Sequence, residues 1–226
     1  MAHPYFHAIS SARKHGGLWS DYFSLHEAVD STKSHYAHCK HRLILHNEWG
    51  IHFLIELYGS DLIRASDQVS VPTQELLEQH IQEDLGLVPS LADCFEKTPM
   101  PRWVNNIRDV SFQCRQSAAK FGGTPDDYLP LHQMFDQTAW FWDDPRHTLI
   151  LHNSWGIYKV AEQVGPTYQR PSDKRVLPTR LLLEQHVILE CGTIPSLKDN
   201  LSVAVPSTWT CSRARALSNE LNSDPD

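Results

Sequence analysis

No Gly-x-Ser-x-Gly elbow, P-loop or dinucleotide-binding glycine pattern occurs in the chain, and His-Glu-x-x-His is absent too. The standard serine-nucleophile, nucleotide-phosphate and zincin motifs are therefore not available to it. Basic residues are outnumbered, 20 Lys and Arg against 27 Asp and Glu, for a net charge of −7. Neither half carries a dense Lys/Arg stripe, which speaks against general nucleic-acid or anionic-membrane binding. No apolar run is long enough to span a bilayer, and Met1-Ala2-His3-Pro4-Tyr5 lacks the basic and apolar regions of a secretory signal, so the expectation is a cytoplasmic protein. Cysteine is sparse: five residues, none in a Cys-x-x-Cys pair. That argues against a zinc ribbon and suits reduced thiols.

What the chain does have is one stretch written twice. His41-Arg42-Leu43-Ile44-Leu45-His46-Asn47-Glu48-Trp49-Gly50-Ile51 returns as His147-Thr148-Leu149-Ile150-Leu151-His152-Asn153-Ser154-Trp155-Gly156-Ile157. The offset holds without a gap, and roughly 38 of the 89 positions from 5 to 93 match their partners in 111–199. Such self-similarity marks a tandem duplication. None of the cysteines has a counterpart: Cys39 aligns with Pro145, Cys94 with Asn200, Cys114 with Ala8 and Cys191 with Leu85, while Cys211 lies beyond both copies.

Each copy reads as mainly helical. Pro4 to His15 is a helix stopped by Gly16-Gly17, and Val110 to Phe121 one stopped by Gly122-Gly123. A second helix carries Leu25-His26 and Asp30, matched by Leu131-His132 and Asp136. A third and longest is expected over Lys40–Tyr58 and Arg146–Val164, stopped by Gly59 and Gly165. Within a continuous helix His41 and His46 would lie about 140° apart and could not serve one site together. A small hairpin pairing Leu62–Arg64 with Val69–Val71 fits the turn-rich segment that follows. A fourth helix then holds Leu77-Glu78-Gln79-His80, repeated as Leu183-Glu184-Gln185-His186, and a last short turn follows Pro89-Ser90 and Pro195-Ser196. The expected organisation is repeat 1 at 1–97, a linker at 98–108, repeat 2 at 109–201 and a polar, flexible tail at 202–226. One unit alone would be marginal, so the two are expected to pack as a pseudo-twofold pair, an intramolecular dimer that a further homodimer would extend.

Of 14 histidines, eight fall in four duplicated positions: His26/His132, His41/His147, His46/His152 and His80/His186. Carboxylates accompany them at Asp30/Asp136, Glu78/Glu184 and Asp84/Glu190. Neutral imidazole with carboxylate is the ligand set of zinc, iron or manganese. The alternative is a hydrogen-bonded polar core, since duplication preserves packing residues as well. Neighbouring positions have diverged (His35/Phe141, His38/Asp144, Lys33/Ala139) while all four histidines persist, which favours the metal. The expected ligands are His26, His46 and His80, with His132, His152 and His186 in the second copy. Asp84 is a fourth ligand or a base, and His41 a proton shuttle. Arg42, replaced by Thr148, would face an anionic substrate in repeat 1 alone. Trp49-Gly50 is core and close approach, with an aromatic pocket wall beside Asn47 as the alternative. Ser10-Ser11 reads as a helix-interior pair.

The combination His3-Pro4-Tyr5-Phe6-His7-Ala8-Ile9-Ser10-Ser11, Gly16-Gly17, Asp21-Tyr22, Leu25-His26 with Asp30, His41-Arg42 with His46, and Glu78-Gln79-His80 with Asp84-Leu85-Gly86 and Pro89-Ser90 resembles an uncharacterised bacterial and phage domain family of unknown function. The resemblance covers nearly all of 3–95 and, more divergently, 109–199. It implies two family domains in one chain and carries no activity.

The leading expectation is a metal-binding protein with His/carboxylate sites, in catalytic form a metal-dependent hydrolase acting on a small-molecule or nucleotide-like substrate. A non-enzymatic binding or assembly module, phage-associated, whose His-rich face is a polar core or partner surface, is the alternative; non-haem iron redox chemistry is a third reading.

Overall fold

A computed structural model describes residues 3–103 and 108–212. The chain divides into two compact units: residues 1–97 with 205–226, and residues 98–204. Among the described residues, unit 1 contains α1 (Pro4–His15), α2 (Trp19–Val29), α3 (Arg42–Leu45), α4 (Glu48–Tyr58), the hairpin β1 (Asp61–Ile63) and β2 (Ser70–Pro72), α5 (Thr73–Leu85) and α6 (Leu91–Phe95). Unit 2 repeats this order as α7 (Val110–Phe121), α8 (Leu129–Phe135), α9 (Thr148–Leu151), α10 (Ser154–Val164), β3 (Thr167–Gln169) with β4 (Val176–Pro178), α11 (Thr179–Cys191) and α12 (Leu197–Val203). Each unit is mainly α with one antiparallel two-stranded hairpin. No helix among the described residues is long and apolar enough to cross a membrane.

Local signals set most boundaries. Pro4 occupies the first turn of α1, where its missing N–H costs nothing, and Gly16 (φ 81°) ends it. The Tyr22 hydroxyl then donates to the Gly16 carbonyl at 2.7 Å, and Tyr128 does the same to Gly122 at 2.7 Å. The hairpin sits one residue earlier than expected on its first strand, with Leu62 opposite Val71. Its closing turn is pinned from two sides. Arg64 pairs with Asp67 and donates to the His15 carbonyl, while Asp21 accepts from the Ser66 N–H at 3.0 Å and its hydroxyl at 2.6 Å. Arg170, Asp173, Asp127 and Ser172 reproduce the clamp.

The long third helix is not continuous. A 3-10 turn at Cys39–His41 leads into α3, the chain breaks at His46 (φ −96°, ψ 53°), and α4 starts afresh with Asn47 as its N-cap. Asn47 holds the break together: its Oδ1 accepts from the Gly50 N–H at 2.9 Å while its Nδ2 donates to the Leu43 and Ile44 carbonyls at 3.0 Å. This is a structural joint, so the ligand-pocket role for Asn47 falls. The close turn also explains the duplicated Trp-Gly. A Cβ on Gly50 would stand 2.2 Å from the Leu45 carbonyl oxygen, and one on Gly156 2.0 Å from that of Leu151. Trp49 is fully buried and stacks on Phe53, so it belongs to the core and not to a pocket wall.

Two further expectations are corrected. Residues after about Leu201 do not simply fray: α13 (Thr208–Ser212) belongs to unit 1, with Thr210 fully buried and the Ser207 hydroxyl 3.3 Å from the Asp93 carbonyl. The remainder of the expected flexible tail, 213–226, and positions 104–107 of the expected linker lie outside the described residues. Nor are all thiols reduced: Cys39 and Cys211 form a disulfide, with Cα atoms 5.4 Å apart across 172 positions. Sequence spacing could not show this, because return of residues 205–212 to unit 1 is what brings the two together. Cys94, Cys114 and Cys191 are free, and burial pushes the Cys191 thiol up to about 12.

Candidate metal centre

In unit 1, α5 presents His80 and Asp84 one turn apart on its buried side. Asp30 closes α2, and His46 occupies the break that Asn47 fixes. These four groups come from three separate segments, all are buried, and one ligand atom from each lies within 4.8 Å of the others. The interruption of the third helix matters here. In place of the 140° separation of a continuous helix, His41 and His46 both turn Nε2 toward Asp30 Oδ1, at 3.3 and 3.6 Å.

His26 stands one step behind. Its Nδ1 meets Nδ1 of His80 at 3.0 Å and its Nε2 lies 2.9 Å from the Ser11 hydroxyl. It orients His80 and is outside the four-group cluster. Ser11, read as a mere helix-interior residue, is therefore part of the arrangement. Its match at Ser117 was the available signal. His41 is anchored at the far side, donating from Nδ1 to the His38 carbonyl at 2.7 Å. Arg42, fully buried, brings Nη2 to 2.7 Å from Asp84 Oδ2 and donates from Nη1 to the Thr210 carbonyl at 3.1 Å. A guanidinium so engaged braces Asp84 and does not reach for substrate. His7 stacks on His80 with ring centres 3.9 Å apart, its Nδ1 2.6 Å from Glu83 and its Nε2 3.6 Å from Asp84 Oδ1.

Unit 2 repeats the frame with altered contents. Asp136, His152 and His186 bring ligand atoms within 4.8 Å of one another. His132 stands behind His186, Nδ1 to Nδ1 at 3.0 Å, with the Ser117 hydroxyl 2.9 Å from its Nε2. His147 leans on the Thr138 hydroxyl at 2.8 Å. Glu190 reaches further than Asp84 does, to 2.7 Å from His152 Nδ1 and 3.3 Å from His186 Nε2, and accepts from Gln113 at 2.8 Å. Thr148 replaces the arginine and is spent on the Pro145 carbonyl. Glu78 and Glu184 stay outside both clusters, bonded to Gln74 and Arg180.

The electrostatics separate the units. Burial holds His46 and His80 below the ordinary histidine range, so both imidazoles are neutral. Burial works against ionisation of Asp84, but the imidazoles of His46 and His7, 3.3 and 3.6 Å from its oxygens, and the Arg42 charge hold its carboxyl well below the usual carboxylate range. Burial likewise opposes charge on His7, yet Asp84 and Glu83 raise it to about 9. His26 and His132 are pushed down to about 3, chiefly by burial. In unit 2 burial is outweighed at His152, where Glu190 and Asp136 raise it to about 10.

Neutral imidazole nitrogens and ionised carboxylates converging from rigid segments are what a divalent transition ion requires. Buried atoms without a hydrogen-bond partner among the described residues sharpen the point: His46 Nδ1 and Nε2, His80 Nε2, His7 Nε2 and Asp30 Oδ2. Each orphaned polar atom costs about 1–3 kcal/mol, and a bound cation would satisfy those that face the cluster. Two surface hollows of unit 2, one beside Tyr158 and Arg180 and the other beside Lys120 and Leu189, are not lined by the cluster residues.

A family model described as a domain of unknown function, DUF6915, matches residues 2–104 and again residues 109–210. No curated protein and no solved structure matches the chain.

Proposed function

Because the chain belongs to this family, carrying its domain twice, and the family supplies no activity, we propose from the geometry that it is a metal-binding protein with one His/carboxylate centre in each unit. Asp30, His46, His80 and Asp84 hold the ion of unit 1, and Asp136, His152 and His186 that of unit 2, with Glu190 beside them. The observation that carries this reading is the convergence of four buried ligand groups within 4.8 Å while Nε2 of His46 and Nε2 of His80 lack hydrogen bonds. A metal-free polar core would leave those nitrogens unsatisfied, so the assembly-module reading ranks below it. Zinc, iron and manganese all suit the donor set, which contains no thiolate. Elemental analysis of chain purified without chelator tests the proposal. Two equivalents of a transition metal, one lost in His80→Ala and both in the His80→Ala/His186→Ala variant, support it. A chain that stays empty after addition of zinc, iron and manganese sinks it.

Metal-dependent hydrolysis of a small-molecule or nucleotide-like substrate is the second reading. It is favoured by the mixed imidazole and carboxylate donors, which commonly leave a coordination position for water. In that reading Asp84 is a ligand and not a base, because its carboxyl is firmly ionised and engaged by Arg42. His41 then acts through Asp30, which it contacts at 3.3 Å. Turnover of phosphoester and amide substrates by zinc-loaded protein, abolished in Asp30→Ala, would support it. Absence of turnover with full metal occupancy would leave a non-hydrolytic metal protein.

A further inference from the structure

The centre of unit 1 is linked to a covalent tether that unit 2 lacks. Cys39 opens the 3-10 turn leading directly into His41 and Arg42, and its disulfide partner Cys211 lies in α13. Arg42 spans the distance between that helix and the cluster: Nη1 donates to the carbonyl of Thr210, the residue before Cys211, while Nη2 sits 2.7 Å from the Asp84 carboxylate. A five-residue helix has almost no stability of its own, so α13 keeps its place only through its contacts and its tether. In the second copy the cysteine and the arginine are missing, with Pro145 at the position of Cys39 and Thr148 at that of Arg42, while Glu190 keeps a carboxylate at the position of Asp84.

We propose that the Cys39–Cys211 disulfide is a redox latch on the metal centre of unit 1, a regulation that rests on the metal-binding reading above. A dithiol reductant opens it. One reductant thiolate attacks a sulfur of the pair, forming a mixed disulfide and releasing the other cysteine as thiolate. The second reductant thiol then displaces the first cysteine and closes the reductant's own disulfide. The protein gains two electrons and two protons as two cysteine thiols, and the dithiol loses the same. Cys211 is exposed and Cys39 half-buried, so the bond is reachable. His38 Nδ1, 3.3 Å from Cys39 Sγ, stands beside the departing sulfur. With the tether open, residues 205–212 leave unit 1 and Arg42 loses its carbonyl anchor. Asp84 then loses the cation that fixes its orientation, and the ion escapes faster. Unit 2, with no such link, keeps its ion and serves as a control within the same molecule.

The test follows zinc release from the full, zinc-loaded chain to a chromogenic chelator. Oxidised protein is compared with protein reduced by tris(2-carboxyethyl)phosphine, and with Cys39→Ser and Cys211→Ser variants. Hydrogen exchange over residues 205–212 is read in parallel. The expected result is two release phases of which one accelerates about tenfold on reduction, the scale of effect seen when an outer partner of a ligand is lost. Exchange protection over 205–212 should disappear together with that change. Unaltered release or retained protection, with both thiols shown free by alkylation, would overturn the latch alone. A chain that takes up no zinc in the oxidised state would overturn the metal reading and the latch with it. Should the serine variants fail to fold, reduction of the unmodified chain decides the matter.

Discussion

His80 and His26 face each other Nδ1 to Nδ1 at 3.0 Å, so one of the two nitrogens carries the proton and the other accepts it. For His80 Nε2 to offer a lone pair to an ion, His80 must donate from Nδ1, and His26 must in turn donate from Nε2 to the Ser11 hydroxyl 2.9 Å away. The contacts of His186, His132 and Ser117 have the same lengths. An orienting histidine and a coordinating one respond differently to removal. His26→Ala is expected to weaken zinc affinity about 10- to 100-fold at unchanged stoichiometry, and His80→Ala to remove one equivalent. Competition titration against a calibrated chelator checks this. Equal loss of stoichiometry in both variants would make His26 a ligand after all.

Arg42 and Asp84 form a buried ion pair at 2.7 Å. Removing one partner strands the other charge away from water. Arg42→Ala is expected to cost about 3–5 kcal/mol, read as a lowered denaturation midpoint of the unit 1 transition. A change below about 1 kcal/mol would mean that Asp84 is held adequately by His46 and His7.

Gly50 and Gly156 admit no side chain, since a Cβ would lie 2.2 or 2.0 Å from a backbone oxygen. Gly50→Ala must push α4 away from the end of α3 and shift His46 with it. The expected cost is about 3 kcal/mol, accompanied by weakened metal binding in unit 1. A variant of unaltered thermal midpoint would show that the joint has room to relax.

The units should differ in how metal binding depends on pH. His152 lies between Asp136 and Glu190, with Phe135 stacked on its ring and His147 edge-on to it. Its pKa, raised to about 10, means that it carries a proton at neutral pH. In metal-free protein that pairing contributes stability in full below the unfolded histidine value of about 6.5, and the contribution fades as pH rises through about 10. An incoming ion must expel the proton, so affinity at unit 2 should rise about tenfold per pH unit over that interval. His46, lowered by burial, has no proton to lose near neutrality. Zinc calorimetry at pH 7.5 in buffers of different ionisation enthalpy is expected to show about one proton released in His80→Ala, where unit 2 alone binds, and none in His7→Gln/His186→Ala, where the protonated His7 beside Asp84 is removed as well. Equal release from both would refute the difference.

Short-range features of this fold were legible in the sequence. The duplication, the helix ends at Gly16, Gly86 and their partners, and the hairpin to within one residue all follow from local chemistry. The break at His46 was also written locally, as an Asn before Glu-Trp-Gly, but the apolar run on either side concealed it. That miss had a consequence for the site, because a continuous helix forbids His41 and His46 from sharing Asp30. Asp30 was visible as a duplicated residue four positions after His26. Its position at the helix terminus directs it to His46 and His41 in place of His26. Contacts made by distant segments had no local signature at all: Arg42 with Thr210, and Cys39 with Cys211, depend on which unit residues 205–212 join.

The most direct test of the four-ligand centre is a crystal of zinc-loaded protein measured on both sides of the zinc absorption edge. An anomalous peak about 2.0–2.2 Å from nitrogens of His46 and His80 and from carboxylate oxygens of Asp30 and Asp84, with a second peak beside His152 and His186, is the expected result. A peak coordinated by His26 in place of His80, or fully loaded crystals with no peak at either cluster, would contradict it.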